Sequence, residues 1–397
     1  MAQIEISWYS ASMIKRENAL AAVAGLSGRH PVTAILGARQ VGKTTLAMAL
    51  AAQSAARVTV FDLENPDHLA RLQDPLLALQ ELRGLVILDE IQRRPEIFPV
   101  LRVLADRPRR PATFVVLGSA SPELLRQSSE SLAGRITYFH LGGLSLQEVG
   151  VRELTRLWLR GGFPRSFLAK SNAHSVEWRR DFIATFLERD VPQLGISFPT
   201  PALRRFWTML AHWHGQLWNA SEFARSFGVS DQTVRRYLDA LTATYVVRQL
   251  PPYHANISKR QVKMPRVYVA DSGLLHALLG IGTAQDLVEN PKVGASWEGF
   301  AMREVTQRLG ARPEECYFWR THQGAELDLL VVRGRRRLGF EFKRTTAPAV
   351  TPSMRIALED LGLESISVIH AGRATFPMGE KIRAVPLQAI LTDLDPL

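Results

Sequence analysis

Gly37 and Gly42 bracket four residues, and Lys43, Thr44 and Thr45 follow at once: Gly37-Ala-Arg-Gln40-Val41-Gly42-Lys43-Thr44-Thr45. The stretch matches in full the spacing G-x-x-x-x-G-K-[ST], whose chemistry is phosphate binding. Glycines let the backbone turn sharply, so successive N–H groups, those of Gln40 and Val41 among them, converge on an anion. A helix starting near Lys43 turns its positive end to the same anion. In such a loop Lys43 reaches the β- and γ-phosphates, the Thr44 hydroxyl holds Mg²⁺, and Thr45 opens the helix. ATP with Mg²⁺ is the ligand these residues imply. A chance glycine-rich turn is the competing reading; the apolar run Val32–Leu36 before it and the helical pattern after it argue against that.

Polar residues at the ends of later apolar runs supply the rest of a hydrolytic set. Leu85-Val-Ile-Leu88 leads into Asp89-Glu90. Beside a phosphate loop, Asp89 would order water around Mg²⁺ and Glu90 would polarise the water that attacks the γ-phosphate. An acidic strand-end cap is the plain alternative. Thr113–Leu117 runs into Gly118-Ser119, where Ser119 senses the γ-phosphate unless the pair is only a turn. Arg135 follows Leu132-Ala-Gly134, on a loop from which an arginine can reach a neighbouring subunit's nucleotide. An ordinary surface arginine is the competing role.

Two further constellations lie downstream. Asn219–Gly228 and Asp231–Leu241 read as capped helices around a short turn, the helix-turn-helix pattern, with Val246–Leu250 and Arg266–Val269 able to pair as a wing. On the outer face of the second helix, Gln232, Thr233, Arg235 and Arg236 have the chemistry to meet DNA, although such modules also serve as packing pieces. Near the C-terminus, Glu298 stands near the start of a helix, Asp328 on a strand, and Glu341 and Lys343 on the next strand of a hairpin. Alternation puts Glu341 and Lys343 on one face, and Asp328 can meet them from the adjacent strand. Glu298, Asp328 and Glu341 could hold Mg²⁺ against a phosphodiester, with Lys343 as the basic partner. Alternatively these carboxylates pair with Lys343 and Arg320. The hairpin tip, Arg333-Gly-Arg335-Arg336-Arg337, is a solvated turn or a phosphate clamp.

These residues need scaffolds. The 397 residues suffice for two to four domains, and 46% hydrophobic with 22% charged residues is ordinary for a soluble globular chain. No apolar run approaches membrane-spanning length, and Met-Ala-Gln-Ile-Glu-Ile lacks the basic and hydrophobic regions of a signal peptide. The lone Cys316 excludes an internal disulfide and argues against a cysteine-built metal site. A cytoplasmic protein without a membrane partner is expected. The net charge of +11 is concentrated in residues 151–292, with 19 Lys+Arg against 11 Asp+Glu, either a footprint for nucleic acid or a solvated basic face. Met13–Leu26 reads as a helical lead-in, with Gly25 and Gly28-Arg29-His30-Pro31 ending it. Residues 31–150 alternate apolar strands with helices, the signature of a parallel sheet.

Gly37–Thr45, Leu88-Asp-Glu-Ile-Gln92, Gly118-Ser119 and Leu132–Arg135 resemble an AAA+-type ATPase group of bacteria and archaea. Gly161-Gly-Phe-Pro164 and Phe186–Val191 extend the resemblance over essentially the whole chain. It implies an α/β multidomain architecture: an AAA+ P-loop core over 1–150, a helical lid over 151–205, a winged helix-turn-helix over 206–290 and a C-terminal domain over 291–397. It also implies an oligomer, a hexameric ring, that hydrolyses ATP. The order of Glu298, Asp328, Glu341 and Lys343 is similar to the PD-(D/E)xK nuclease superfamily, although no Pro-Asp pair precedes Asp328. The combined expectation is an Mg²⁺-dependent ATPase that binds and processes DNA, branched or single-stranded, with a nuclease-like C-terminal domain. The alternative is a regulatory NTPase switch that binds a protein partner, its nuclease-like domain an inactive docking surface.

Overall fold

A computed structural model describes residues 14–109, 111–118, 130–193, 198–254 and 261–397. Strand β1 (Val32–Leu36), apolar apart from Thr33, is buried at all five positions, as a strand must be when both faces of a sheet are covered. With β2 (Val58–Asp62), β3 (Gly84–Asp89), β4 (Ala112–Gly118) and β5 (Ile136–His140) it forms a sheet in the order β2-β3-β4-β1-β5. Every neighbouring pair is parallel. The helix Ile97–Ala105 buries Ile97, Phe98, Leu101 and Leu104, the stripe its sequence spacing demands. The helical lead-in occupies Glu17–Arg29, running on through Gly25 and ending within the expected Gly28–Pro31 stretch, where His30, extended ahead of Pro31, can no longer stay helical.

The chain divides into two compact units, Met1–Leu144 with Glu148–Gly150, and Ser145–Gln147 with Val151–Leu397. The second unit contains all three segments expected beyond residue 150. Its helix Ser272–Leu278 packs on the helices Leu154–Arg160 and Asn172–Thr185. Asp271 accepts from Gly162 N at 2.7 Å, and buried Arg179 donates to Gly273 O at 2.9 Å and Leu159 O at 3.3 Å. A Cβ on Gly273 would stand 2.1 Å from Arg160 O, so the turn after Arg160 and the start of this helix meet backbone to backbone.

Farther along the second unit, the helices Ala220–Phe227 and Asp231–Ala243 flank a turn. Gly228 closes the first at φ 65°, and the Ser230 side chain caps the second by accepting from Thr233 N. Beside them β6 (Gln216–Leu217), β7 (Val247–Leu250) and β8 (Arg266–Val269) make an antiparallel sheet in the order β6-β8-β7. A mixed six-stranded sheet follows: β9 (Cys316–Arg320), β10 (Glu326–Arg333), β11 (Arg336–Lys343), β12 (Ser365–His370), β13 (Phe376–Gly379) and β14 (Ile382–Pro386), ordered β13-β14-β12-β11-β10-β9. Its core gathers Trp319, Leu327, Leu330, Met354, Leu361 and Val368. Described residues on either side of the β7–β8 turn pair with the outer side of β9: Tyr253 N donates to Phe318 O at 2.7 Å, and Val262 N to Arg320 O at 3.1 Å. No helix among the described residues is long and apolar enough to cross a membrane.

Candidate functional site

The loop from β1 to the helix Lys43–Gln53 has the backbone its sequence requires. Gly42 caps that helix at φ 103°, a conformation side chains other than glycine rarely adopt. Gln40 takes φ 61° without being glycine, local strain of the kind that accompanies function. Lys43 is buried, and its ammonium donates to Gly37 O at 3.1 Å and Ala38 O at 3.0 Å, across the loop it serves. The Thr44 hydroxyl donates to Asp89 Oδ2 at 2.7 Å. Asp89 ends β3, which is separated from β1 by β4, so this bond links the phosphate loop to the acidic strand end. Burial pushes the Asp89 carboxyl above its usual range, and the Thr44 bond works against that shift. A hydroxyl and a carboxylate already facing one another are the hard oxygen donors that Mg²⁺ takes, directly or through water. The residues present therefore fit the ion.

Glu90 sits at φ 56°, ψ 45°, with its N–H donating to Asp89 Oδ1 at 2.9 Å. The Gln92 side-chain amide donates to its carboxylate, fixing the group expected to activate water. Ser119 lies outside the described residues; Gly118, just before it, pairs with Leu36 at the mouth of the phosphate loop. Arg135 makes a two-pronged bond to Asp106, Nε to Oδ1 at 2.6 Å and Nη2 to Oδ2 at 2.8 Å, both groups reaching solvent. The arginine expected to serve a neighbouring subunit thus has a carboxylate partner within its own chain. Arg16 was no candidate from sequence, yet it braces the loop: Nε meets Glu148 Oε1 at 2.5 Å, and its Nη groups donate to Val41 O at 3.3 Å and Gly142 O at 3.0 Å. A basic residue ahead of a helix carries no sequence signal for that task.

In the second unit Gln232, Arg235 and Arg236 are exposed on the helix Asp231–Ala243, and Thr233 is half-buried behind the cap. Arg236 lies over the Phe198 ring, 5.4 Å from its centroid. The arginine-rich hairpin tip is mostly engaged. Arg333 binds Glu315 at 2.7 Å, Arg336 binds Glu364 at 3.3 Å, and Arg337 donates to Leu361 O at 2.8 Å. Arg335 is exposed at the turn. Structural pairing accounts for most of this tip.

Glu298, Asp328, Glu341 and Lys343 do come together. Asp328 sits where the β9–β10 register shifts between Leu327 and Leu330, a bulge that redirects side chains. Its Oδ2 accepts from Phe342 N at 3.1 Å. Lys343 Nζ lies 2.9 Å from Glu341 Oε2 and 3.8 Å from Asp328 Oδ2. Glu298, from the helix Val293–Leu309, accepts from the Tyr268 hydroxyl at 2.7 Å. Into this cluster β8 sends Arg266, whose guanidinium meets Glu326 at 2.9 Å, Asp328 at 3.1 Å and Glu298 at 3.7 Å. Burial, with Asp328 alongside, pushes Glu341 up to about 8 and Glu298 up to about 7. Burial alone would lower the Arg266 value, but the charges around it raise it further.

Among the described residues no three His, Cys, Asp or Glu side chains are disposed to hold a metal ion. The expected metal set of Glu298, Asp328 and Glu341 is corrected accordingly: as arranged, a guanidinium and an ammonium provide its positive charge. Arg320, 3.7 Å from Glu326, belongs to the same pairing. Sequence reading placed Arg266 only as the first residue of a wing strand. An arginine opening an otherwise apolar strand, Arg-Val-Tyr-Val, was the one available hint.

Residues 29–150 match the family model described as AAA domain. Residues 151–285 and 293–390 match two domains of unknown function, DUF8612 and DUF4143. The uncharacterized proteins Mb2031c of Mycobacterium bovis and Rv2008c of Mycobacterium tuberculosis are each 51% identical over 383 residues, covering 96% of this chain and 86% of theirs. Among solved structures, the chain is similar to the Walker-type ATPase PABY2304 of Pyrococcus abyssi, at 14% identity and TM-score 0.49, over 67% of this chain and 96% of that one. It is also similar to the RuvB Holliday junction branch migration motor of Thermotoga maritima, at 19% identity and TM-score 0.31, over 60% and 90%. The chain belongs to the family of the two mycobacterial proteins, and its first unit carries that family's AAA-type P-loop ATPase domain.

Proposed function

We propose that this protein is an Mg²⁺-dependent ATPase that couples nucleotide hydrolysis between subunits of a homo-oligomeric ring to the binding and remodelling of DNA. The observation that carries the reading is the phosphate-loop constellation, in which buried Lys43 spans the loop and the Thr44 hydroxyl meets Asp89 at 2.7 Å. In this scheme the loop amides and Lys43 hold the β- and γ-phosphates. Thr44 and Asp89 hold Mg²⁺, which neutralises phosphate charge when bound. Glu90 takes the proton of the attacking water, Ser119 senses the γ-phosphate, and Arg135 leaves Asp106 to complete a neighbouring site. The DNA part is supported by exposed Gln232, Arg235 and Arg236 on a capped helix beside a three-stranded sheet, a layout compatible with a winged helix.

A second reading, a nucleotide switch for a protein partner, is favoured by two observations. Tyr253 and Val262 bond to β9 from outside its sheet, and Arg266 occupies the nuclease-like cluster. Both weigh against DNA cleavage.

The test combines ATP turnover with gel shifts on single-stranded, duplex, forked and junction DNA, with Mg²⁺ or Mn²⁺ and with or without ATP. Lys43→Ala should lose ATP binding, while Glu90→Gln should keep binding and lose on the order of a hundredfold or more in turnover. DNA binding should weaken steeply with salt and fall in Arg235→Ala/Arg236→Ala. Wild-type hydrolysis by Glu90→Gln overturns the assigned water activator. No shift at low salt overturns the DNA reading in favour of the protein partner. Cleavage lost in Asp328→Ala would add a nuclease.

A further inference from the structure

Arg16 meets the phosphate loop through its backbone. Nη1 donates to Val41 O at 3.3 Å, and Nη2 to Gly142 O at 3.0 Å and Gly143 O at 3.4 Å. Glu148 fixes the guanidinium from another side, Oε1 accepting from Nε at 2.5 Å and Oε2 from Nη2 at 3.3 Å. Only 11% and 10% of the two side chains are exposed, and all of these residues belong to the first unit. The start of the loop is held separately, since a Cβ on Gly37 would stand 2.3 Å from Leu141 O. Strained Gln40 lies between these two restraints, and such strain persists only where the surroundings over-determine it.

Val41 O matters because of what lies across its peptide. In a trans peptide the carbonyl and the following N–H point in opposite directions, so a guanidinium that draws Val41 O toward itself turns the Gly42 N–H away. Gly42, at φ 103°, has no side chain to hold that plane by itself. We propose that Arg16 is a positioning residue for nucleotide binding: by holding Val41 O it aims the Gly42 N–H at the phosphate chain, and Glu148 keeps it in place. This rests on the ATPase reading and adds to it a residue outside the loop that touches no phosphate. The amide meets ground state and transition state alike, so its misalignment should raise KM and leave kcat within about twofold.

The test measures binding of Mg²⁺–ATP and Mg²⁺–ADP to the full chain, ATP turnover, and thermal unfolding across nucleotide concentrations. Arg16→Ala should bind both nucleotides about tenfold more weakly, the loss expected for one mis-aimed hydrogen bond to an anion. Glu148→Ala should lose a similar factor, and the double variant no more than either alone, because the pair acts as one unit. A merely structural Arg16 would instead lower the melting temperature without nucleotide and leave unchanged the ATP concentration that produces a given rise; that result overturns the proposal. So does wild-type affinity in a folded Arg16→Ala protein. Lys43→Ala separates the two readings. If wild type binds ATP no better than Lys43→Ala, the ATPase reading fails and the proposal with it. Binding that Lys43→Ala loses and Arg16→Ala keeps refutes the positioning role alone. Where Arg16→Ala fails to fold, the same loss is required of Glu148→Ala; if neither folds, the pair is structural and the proposal is overturned.

Discussion

Gly273→Ala should unfold the second unit more readily than any propensity argument suggests. Gly273 lies in the first turn of the helix Ser272–Leu278, where alanine would ordinarily help by about 1 kcal/mol. Here the added Cβ would stand 2.1 Å from Arg160 O, 2.5 Å from Arg160 C and 2.8 Å from Gly161 N. These are backbone atoms, so no side chain can rotate away. Relief requires the helix start and the Arg160–Gly161 backbone to part by about an ångström, since contacts below roughly 3 Å are repulsive. That movement stretches Asp271 to Gly162 N and Arg179 to Gly273 O, now 2.7 and 2.9 Å. Each of these two bonds, once broken, costs about 1–3 kcal/mol, so the net loss is roughly 1–5 kcal/mol after the propensity gain. Urea unfolding followed by tryptophan fluorescence reads mainly this unit, because seven of the chain's eight tryptophans belong to it. Gly294→Ala is the matched control: it is helical, nothing lies within 4 Å of its added Cβ, and it should be neutral or slightly stabilising. A loss below about 1 kcal/mol in Gly273→Ala would refute the backbone contact as the organising joint of this unit.

The arginine assigned to a neighbouring site can be separated from its local partner. Arg135→Ala should lower turnover and recover activity when mixed with Lys43→Ala protomers, whereas Asp106→Ala should not lower it; equal losses in both would make the pair structural. The acidic cluster should also leave a signature in stability against pH. Glu341 and Glu298 titrate near 8 and 7 when folded, above the usual carboxylate value of about 4.3 when unfolded. The folded chain thus holds more protons. Its stability from these groups is full below about pH 4 and falls as pH rises toward 8. Glu341→Gln should remove on the order of 3 kcal/mol of that decline between pH 5 and 8 in urea unfolding; an unchanged slope would count against the shift.

Features built from neighbouring residues were legible in the sequence. The phosphate loop, the helix start at Lys43 and the strand ending at Asp89 each rest on a few consecutive side chains and their local backbone needs. So do the Gly228 and Ser230 caps. The meeting of Asp328, Glu341 and Lys343 was also legible, because strand alternation and a tight hairpin dictate it. What was not legible is pairing across long separations. Nothing near Arg135 names Asp106, and nothing near Asp328 names Arg266, which stands 62 residues earlier. The lead-in helix runs on through Gly25, whose cost in a helix is only about 1 kcal/mol, and stops just ahead of Pro31, as the sequence indicates.

The strip of chain lying along β9 bears on how this family's parts can be recombined. An open sheet edge invites pairing with another molecule, and proteins commonly cover or charge such edges. Here Pro251–Tyr253 and Gln261–Val262 bond to β9 from outside the C-terminal sheet, while Pro377 stands in β13 at the opposite edge. A fragment beginning at residue 291 would lose that cover together with Arg266, exposing a row of amides and carbonyls and leaving the acidic cluster short of one cation. Although residues 151–285 and 293–390 match separate families, residues of the first edge the sheet of the second and supply its Arg266. Moved to another chain, it would need a new edge strand and a new counter-charge, or it would associate through the bare edge.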